Sequence, residues 1–381
     1  MLKRILKNIF PIVFLKKAYL LVNTVKIRTF DKIVFTEYKL SPGEIILSIE
    51  DSPFKDFDVD TLKDEEVKKY MRGWKDWKDQ EYIISTQNAI IEPRQGWVVQ
   101  NGNHLNYFSI GIKSRNNQLP RPSLLAIINR KKTIELENCI SLRDPGEENY
   151  FHFYNDVIAK LIFLRNKGYN LNKYYIVIAS KVWEKSYFKF FIQNSPFLKS
   201  LNWHIQKDEF IKAENLILSK PITHRKDIVN EFISWSGVEN TKTQKERKVF
   251  ITRGKNRLRF IENDEEIRQV FNSFGFEVVD ADNLDFNQQI SLFREARWLV
   301  GIHGAGLTNI FYRKGSPMSM LELFPPPEFD YLPYHYVMLS KMYEINYSAM
   351  IGEKPKKRFS GGFYINPSLL QKQIEELLIR I

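Results

Sequence analysis

The sequence contains a single cysteine, Cys139, among its 381 residues. One cysteine excludes an internal disulfide framework and any zinc or iron-sulfur site built from several thiolates. Because a fold without disulfides is typical of a reducing compartment, we predict a cytoplasmic protein. The hydrophobic content of 43% is too high for a disordered or low-complexity chain, and the length is sufficient for two domains.

Several motifs that identify common enzyme classes are also missing. The sequence has no GxSxG nucleophile elbow, no GxxxxGKS or GxxxxGKT phosphate loop, no GxGxxG dinucleotide fingerprint and no HExxH metal motif. The classes that depend on those motifs are therefore not indicated, and the chemistry has to come from other polar clusters.

The first 30 residues lack acidic side chains and contain seven lysines and arginines, which supply 7 of the net charge of +12. Their apolar run from Ile9 to Val22 is interrupted by Pro11 and by Lys16 and Lys17, so it is too short to span a bilayer, and it lacks a signal-peptide cleavage site. Two interpretations stay open: a basic amphipathic segment in peripheral contact with an anionic membrane, or an ordinary first helix or strand. A charge excess concentrated here, without a recognised nucleic-acid motif, argues against a nucleic-acid partner.

The pattern of apolar residues changes along the chain. Short strand-like runs precede residue 149, and helical and strand patterns alternate from there to residue 236. Residues 237–248 are polar without periodicity, which predicts a linker. Beyond them strand and helix patterns alternate regularly, which predicts a parallel sheet covered by helices and therefore the α/β class. The predicted strands are 249–252, 276–279, 298–302 and 318–324, and the predicted helices are 263–274, with an Asn263/Glu266 capping box, 286–296 and 306–312.

A turn of small residues follows the third of these strands, at His303, Gly304, Ala305 and Gly306, and a helix with Thr308 and Asn309 comes next. Small residues let a ligand approach the backbone, and the first amides of a helix favour phosphate. The alternative is tight strand-to-helix packing, which also needs small residues. A polar histidine at a strand end favours the binding site, because such a group is costly unless it is paired or used.

The end of the first predicted strand carries a basic cluster, which consists of Arg253, Lys255, Arg257 and Arg259. Guanidinium groups suit phosphate oxygens, although such a cluster can also be a solvated loop. Glu322 is an acid inside an otherwise apolar strand, and it needs partners such as ribose hydroxyls, an arginine or backbone amides.

His152 and Asp156 are four residues apart at the start of the helix that begins near residue 150, so they share one helix face. Such a pair can take a proton from a hydroxyl. The structural alternative is a histidine at a helix start that is satisfied by a side-chain contact.

Asp280 and Asp282 form a DxD motif at the end of a predicted strand, as a divalent-metal site would in a metal-dependent sugar transferase. The motif is common by chance. The alternative is therefore that Asp282 is a turn or cap residue before the next helix.

Taken together, the motifs VFITR, GFEVV, QQISLFREA, GIHGAGLTN and LELFP between residues 249 and 325, with FHFYND at 151–156, resemble glycosyltransferase family 61. The resemblance covers roughly residues 148–325. The chain is identified as a bacterial-type member of this family, similar to EGF-domain O-linked N-acetylglucosamine transferases and plant xylan glycosyltransferases.

The resemblance implies a GT-B fold, with two Rossmann-like domains facing a cleft. The chain would divide into a basic segment 1–30, an acceptor-side domain 31–236, the linker 237–248, a donor-binding domain 249–350 and a C-terminal tail and helix 351–381. The implied reaction is an inverting sugar transfer from a nucleotide diphosphate donor, a UDP-sugar foremost, to a glycan hydroxyl, with no metal or other cofactor. Bacterial capsule or lipopolysaccharide synthesis at the inner face of the membrane is the implied setting.

The family's site residues carry over to matching positions of this sequence. The acceptor side would use a base from the pair His152 and Asp156. The donor would be held by Arg253, Arg259, His303, Gly304, Ala305, Gly306, Thr308, Asn309 and Glu322. Two other functions stay open: a metal-dependent transferase that uses Asp280 and Asp282, and a catalytically inactive glycan-binding or scaffold protein.

Overall fold

The computed structural model describes residues 35–54, 57–110, 121–122, 132–238, 243–255, 257–357 and 360–379, and the single positions 18, 21, 22 and 25. The basic segment 1–30 and part of the predicted linker, residues 239–242, therefore lie almost entirely outside the described residues. No helix in the described part of the chain is long and apolar enough to cross a membrane.

The chain forms two compact units. The N-terminal unit consists of Lys78–Val238 and the described part of Ala18–Pro53, and the C-terminal unit consists of Phe54–Trp77 and the described part of Glu239–Ile381. The sequence-based division differs in two places. Residues 54–77 belong to the C-terminal unit, although they lie inside the range 31–236, and the segment 351–381 contributes to the same unit's core.

The N-terminal unit contains a nine-stranded mixed sheet in the order β1-β5-β4-β3-β9-β6-β7-β8, with β2 beside β3. Its long central strands β3 and β9 are antiparallel, whereas β6, β7 and β8 run parallel to one another. The strands are β1 Thr36–Glu37, β2 Ile45–Asp51, β3 Asp79–Ile91, β4 Val98–Gln100, β5 His104–Asn106, β6 Thr133–Ser141, β7 Tyr175–Ala179, β8 Trp203–Gln206 and β9 Phe210–Lys220.

The helix predicted from residue 150 onward forms, with a change of pitch that the sequence analysis did not anticipate. An α-helical turn, Tyr150–His152, leads into a π-helix, Phe153–Ile158, and the α-helix resumes at Ala159–Asn166. Its apolar side packs Phe153, Val157 and Leu161 into the core, where all three are fully buried. Short π-helical segments occur often at functional sites because they redirect side chains.

The α-helices of the described residues are numbered in chain order, and α2 and α3 are the two α-helical segments given above. They are α1 Glu65–Met71, α2 Tyr150–His152, α3 Ala159–Asn166, α4 Ser180–Trp183, α5 Ser186–Asn194, α6 Pro196–Ser200, α7 Lys226–Trp235, α8 Asp264–Ser273, α9 Phe286–Glu295, α10 His335–Met342 and α11 Pro367–Ile379.

The C-terminal unit contains a five-stranded sheet in which every pair of neighbours is parallel, in the order β11-β10-β12-β13-β14. This confirms the predicted α/β class with a parallel sheet. Counted along this unit, the order is 2-1-3-4-5, so the direction of winding reverses between β10 and β12, and ligands of doubly wound sheets bind at that point. The strands are β10 Arg247–Thr252, β11 Glu277–Asp280, β12 Ala296–Ile302, β13 Ser319–Phe324 and β14 Asn346–Ile351.

One face of this sheet is covered by α8 and α11. Phe250 of β10 stacks on Phe271 of α8 with ring centroids 3.9 Å apart, and Leu370, Ile374 and Leu377 of α11 are fully buried in the same cluster. Each such side chain contributes about 1.5–3 kcal/mol when it is removed from water. The C-terminal helix is therefore part of the core of this unit.

A second cluster of the C-terminal unit joins residues 54–77 to the region that follows β13. Asp64 caps α1 by accepting a hydrogen bond from the Val67 amide at 3.0 Å, and Val67 and Met71 are buried one turn apart. Trp74 lies with its ring centroid 4.5 Å from that of Tyr334, and its Nε1 donates to the Leu332 carbonyl at 2.7 Å. These aromatic contacts explain why the segment belongs to this unit.

Two local predictions need correction. The predicted capping box is wrong, because the Asn263 side chain bonds the backbone of Ile365 and donates to Glu266, so it does not cap α8. The helix predicted at 306–312 is a 3-10 helix, Ala305–Arg313, which packs closely enough on the sheet that a Cβ at Gly301 would lie 2.3 Å from the Leu307 side chain.

Candidate active site

The ends of β10 and β12 bring Arg253 and Gly304 together. Gly304 has φ 152° and ψ 177°, a region that other residues rarely adopt. A Cβ at this position would lie 1.8 Å from one guanidinium nitrogen of Arg253. The turn therefore needs glycine for two reasons: its backbone conformation and the guanidinium group that covers it.

Arg253 is a largely buried cation, and the described residues offer its guanidinium group neither a hydrogen bond nor an ion pair. Burial, together with the neighbouring Arg259, lowers its pKa to about 10, so the group is still charged at neutral pH. A buried charge is costly unless it is paired. The position is accordingly prepared for an anion, at the point where the sheet reverses its winding.

Further polar groups surround this position. Arg259, at φ 65°, donates from Nη1 to the His303 carbonyl at 3.2 Å. Thr252 Oγ1 and Asn309 Oδ1 are buried, and neither atom has a hydrogen-bond partner in the described chain. The Thr308 hydroxyl lies 3.5 Å from the Tyr336 hydroxyl, which itself donates to the Gly304 carbonyl at 2.5 Å. The amides of Ala305 and Gly306 begin the 3-10 helix and have no acceptor within its first turn.

Glu322 lies on β13, the strand next to β12, and is fully buried. Its Oε1 accepts a hydrogen bond from His303 Nδ1 at 2.5 Å, and its Oε2 accepts one from the Tyr347 hydroxyl at 2.6 Å. Both oxygens therefore have protein partners, and the carboxylate holds the His303 ring. Burial lowers the pKa of His303, and the charges of Arg259 and Arg253 add to this effect against the opposing influence of Glu322.

The N-terminal unit contains the second predicted group. His152 Nδ1 donates to Asp156 Oδ2 at 2.6 Å, with 27% and 16% of the two side chains exposed. Asp156 Oδ1 accepts from Asn155 Nδ2 at 2.8 Å, and the Asn155 amide oxygen in turn accepts from Thr223 Oγ1 at 2.9 Å. Burial alone would raise the pKa of Asp156, but the hydrogen bonds from His152 and Asn155 lower it, so the carboxylate is charged.

Asp144 and Lys160 lie near this pair, and the sequence analysis missed both. Burial raises the pKa of Asp144 to about 6 against the opposing influence of Lys160, whose Nζ lies 3.9 Å from Asp144 Oδ2. Lys160 also donates to the Arg143 carbonyl at 2.8 Å, and burial lowers its pKa. A lysine inside the apolar helical run 157–164 was the available signal, because such a position is costly for a charge.

The DxD motif takes the structural role. Asp280 Oδ1 accepts from the Asp282 amide at 3.1 Å and caps the 3-10 helix Ala281–Asn283, while the Asp282 carboxylate contacts Arg257. Across the residues that the structure describes, no group of three or more His, Cys, Asp or Glu side chains is arranged to hold a metal.

Two surface hollows lie away from these groups. One of about 610 Å³ in the N-terminal unit is lined by residues of α3, α6 and α7. One of about 570 Å³ in the C-terminal unit lies between the start of α1, β14 and α11. Neither is lined by His152, Arg253 or His303, so size alone does not identify the site.

A comparison with protein families finds a match between residues 150–319 and the model of Glycosyltransferase 61. The matched range includes His152 and Asp156 in the N-terminal unit and Arg253 and His303 in the C-terminal unit, and it ends before Glu322. No curated protein sequence matches the chain. The matched range contains residues of both candidate groups, so the match supports assignment of the chain to glycosyltransferase family 61 and a glycosyltransferase function.

Proposed function

We propose that the protein is an inverting, GT-B type glycosyltransferase that moves a sugar from a nucleotide diphosphate donor, a UDP-sugar foremost, to a hydroxyl of a glycan. The C-terminal unit binds the donor and the N-terminal unit supplies the base. The observation that carries the proposal is the largely buried guanidinium group of Arg253, which lies against Gly304 where the winding of the parallel sheet reverses and has no partner among the described residues.

The donor's diphosphate matches this position in charge and in hydrogen bonding. Arg253 and Arg259 offset its negative charge, and the amides of Ala305 and Gly306 and the hydroxyl of Thr308 are donors for its oxygens. Two guanidinium groups take the role that a divalent metal has in other transferases, and Asp280 and Asp282 already have partners. We therefore propose a reaction that needs no metal or other cofactor.

The proposed base is His152, with Asp156 as its positioning residue. Because Asp156 accepts the Nδ1 proton, the lone pair of His152 is on Nε2. Nε2 takes the proton of the acceptor hydroxyl while the hydroxyl oxygen bonds to the anomeric carbon. The bond from that carbon to the phosphate oxygen breaks with its electron pair, and the configuration inverts. The developing charge on the diphosphate is stabilised by Arg253 and the turn amides.

The composition of the N-terminal segment and the family resemblance support a proposed location for the reaction at a membrane surface. Residues 1–30 carry seven basic and no acidic residues, which suits peripheral contact with an anionic inner membrane face where bacterial surface glycans such as capsule or lipopolysaccharide are assembled. A variant that lacks residues 1–30 should lose co-sedimentation with vesicles containing anionic phosphatidylglycerol. Unchanged co-sedimentation would contradict this part of the proposal.

The decisive experiment is a thermal-shift and calorimetry screen against UDP, GDP, ADP and CMP and their sugars, with and without EDTA. A ligand at about 100 times its Kd stabilises the protein by about 2.7 kcal/mol. We expect one nucleotide class to bind, independently of EDTA. Arg253→Gln should weaken that binding about tenfold to hundredfold, because charge-assisted hydrogen bonds contribute about 1.5–3 kcal/mol.

The matched control is Arg268→Gln, which removes an arginine of the same unit that is 41% exposed and pairs with Asp264 on its own helix. It should leave donor binding unchanged. Binding that EDTA abolishes would indicate a metal-dependent transferase. No binding by any nucleotide, or equal binding by wild type and Arg253→Gln, would overturn the proposed donor site.

A further inference from the structure

We propose that His303 takes up a proton when the donor diphosphate binds, and that Glu322 and Tyr347 hold its ring for this change. The inference rests on the proposed donor site and adds a residue, Tyr347, that lies outside the family match.

Three neighbouring strands build the arrangement. In the register of the sheet, Gly301 of β12 lies opposite Glu322 of β13, which lies opposite Ala349 of β14. His303 follows β12 and continues the ladder through a bond from its amide to the Leu323 carbonyl at 2.9 Å. The chain of side-chain bonds therefore crosses three neighbouring strands, from Tyr347 near the start of β14, through Glu322 of β13, to His303 just after β12.

This chain determines which ring nitrogen carries hydrogen. Glu322 accepts from His303 Nδ1, so the neutral ring has its hydrogen there and a lone pair on Nε2. A phosphate oxygen only accepts hydrogen bonds, and an Nε2 lone pair would repel it. Diphosphate beside this ring is therefore favourable only when Nε2 also carries a proton, and the ring is then a cation.

Binding of the donor would change the net charge of the groups around the His303 ring from positive to negative. In the protein without donor, the cations Arg253, after β10, and Arg259, in the loop that follows, both act against a positive His303, as does burial. Phe324 stacks on the ring at 5.0 Å, the Tyr336 ring meets it edge-on, and Glu322 is the acid that faces it. The diphosphate would offset both guanidinium groups and leave the Glu322 charge to favour the imidazolium.

The consequence for the reaction is a donor with a full charge beside the leaving group. His303 Nε2–H donates to a diphosphate oxygen and keeps its proton, while negative charge grows on that oxygen as the bond to the sugar breaks. Tyr347 and Glu322 act as positioning residues, because neither reaches the donor itself.

The test is calorimetry with the nucleotide-sugar that binds best among UDP-glucose, UDP-N-acetylglucosamine, GDP-mannose, ADP-glucose and CMP-sialic acid. The first four carry a diphosphate diester that does not titrate near neutrality. The titration is made at pH 7.5 in PIPES and in Tris, whose ionisation enthalpies differ. We expect the measured enthalpy to depend on the buffer, with uptake of up to one proton, and the Kd to rise by up to about tenfold per pH unit.

Two variants isolate His303. His303→Gln offers a donor that does not titrate, so binding should persist without buffer dependence. In Glu322→Gln the amide oxygen remains with Tyr347 and the NH2 group faces Nδ1, so the neutral ring already carries its hydrogen on Nε2. This second variant should also bind without proton uptake, and it keeps the test valid if His303→Gln fails to fold.

The matched control is His204→Gln, which removes another histidine that contacts a glutamate, with Nε2 3.3 Å from Glu209 Oε1. It should retain the buffer dependence of the wild type. Binding of a diphosphate sugar to wild type without proton uptake would overturn this inference and leave the proposed function intact. If CMP-sialic acid alone bound, or no nucleotide-sugar bound, the diphosphate site and this inference would both be overturned.

Discussion

Each unit contains a histidine that donates from Nδ1 to a carboxylate at nearly the same distance, 2.6 Å for His152 and Asp156 and 2.5 Å for His303 and Glu322. The surroundings differ. Asp156 and His152 retain 16% and 27% exposure, whereas Glu322 is fully buried and His303 has 10% of its side chain exposed. Two arginines act against the protonation of His303, whereas the lysine that acts on Asp156, Lys160, lies beside Asp144, a second carboxyl group.

A histidine–carboxylate pair therefore does not determine its own chemical role, which depends on the groups around it. Both carboxylates select the same tautomer, with the hydrogen on Nδ1 and the lone pair on Nε2. An accessible pair in a polar surrounding can accept a proton from a hydroxyl, whereas a buried pair beside two cations suits an anion. Substitutions in and around the two pairs can test this contrast.

Asp156→Asn and Glu322→Gln should change the same tautomer but have different consequences for function. Because Asn155 donates to Asp156 Oδ1, the new amide nitrogen would face His152 Nδ1 and place the ring hydrogen on Nε2, which abolishes the base. We expect kcat to fall about 10²–10⁴-fold in Asp156→Asn with an unchanged donor Kd. Glu322→Gln should bind donor within a few-fold of wild type. Steady-state kinetics and calorimetry measure both, and equal losses of kcat would contradict the contrast.

Gly304→Ala should damage only the C-terminal group. The new methyl group would displace the Arg253 guanidinium, and the residue would be held at φ 152°. We expect a loss of about 1–3 kcal/mol in the free energy of unfolding from the backbone strain and a weaker donor Kd. Gly275→Ala, at φ 73° with open space around it, is the control for strain alone. Donor affinity that fell equally in both variants would argue against the Arg253 contact.

Tyr347→Phe should weaken the support of the buried carboxylate. Loss of the 2.6 Å bond leaves Glu322 Oε2 without its donor and costs about 1.5–3 kcal/mol of stability. Denaturant unfolding measures the change, and Tyr343→Phe is a control within the same unit. A fully stable Tyr347→Phe variant would show that the hydroxyl does not support Glu322.

His224 is a buried histidine of the N-terminal unit. The Tyr154 hydroxyl lies 3.1 Å from His224 Nδ1, and burial lowers the pKa of His224 to about 3. The unfolded chain therefore binds more protons below pH 6.5, and this contribution to stability is lost as pH falls toward 3, by up to about 1.4 kcal/mol per pH unit. His224→Asn, which tolerates the φ of 57°, should flatten the difference in unfolding free energy between pH 7 and pH 5. Parallel pH profiles of the two proteins would contradict it.

The sequence was sufficient to predict those structural features that depend on the local pattern of apolar and turn residues. The strands and helices between residues 249 and 324 form close to their expected positions, because apolar periodicity and turn residues lie within each element. The proximity of His152 to Asp156 could also be predicted from the sequence, since a spacing of four residues is about one helical turn. The close approach of the strand ends that carry Arg253 and His303 followed from the parallel sheet, whose carboxyl ends share an edge.

What was missed depends on contacts between distant residues. The partner of Glu322 was open among several classes because Tyr347 comes into reach only through the register of β13 with β14. The Asn263 side chain was assigned to a cap, and it instead bonds residue 365, about one hundred positions away. The aromatic residues of 54–77 gave no local sign of which unit would bury them.

Because residues 54–77 pack in the C-terminal unit, they are synthesised well before most of the residues that they contact there. Trp74 leaves the ribosome 258 residues before the Leu332 carbonyl that it bonds, a delay of roughly 10–50 s at ordinary elongation rates. During that time Tyr331 and Tyr334, which pack against the Trp74 ring in the finished core, have not been synthesised. A fragment that begins at residue 239 would lack this segment, so the donor-binding unit should be expressed for study with residues 54–77 joined to it or supplied as a separate peptide.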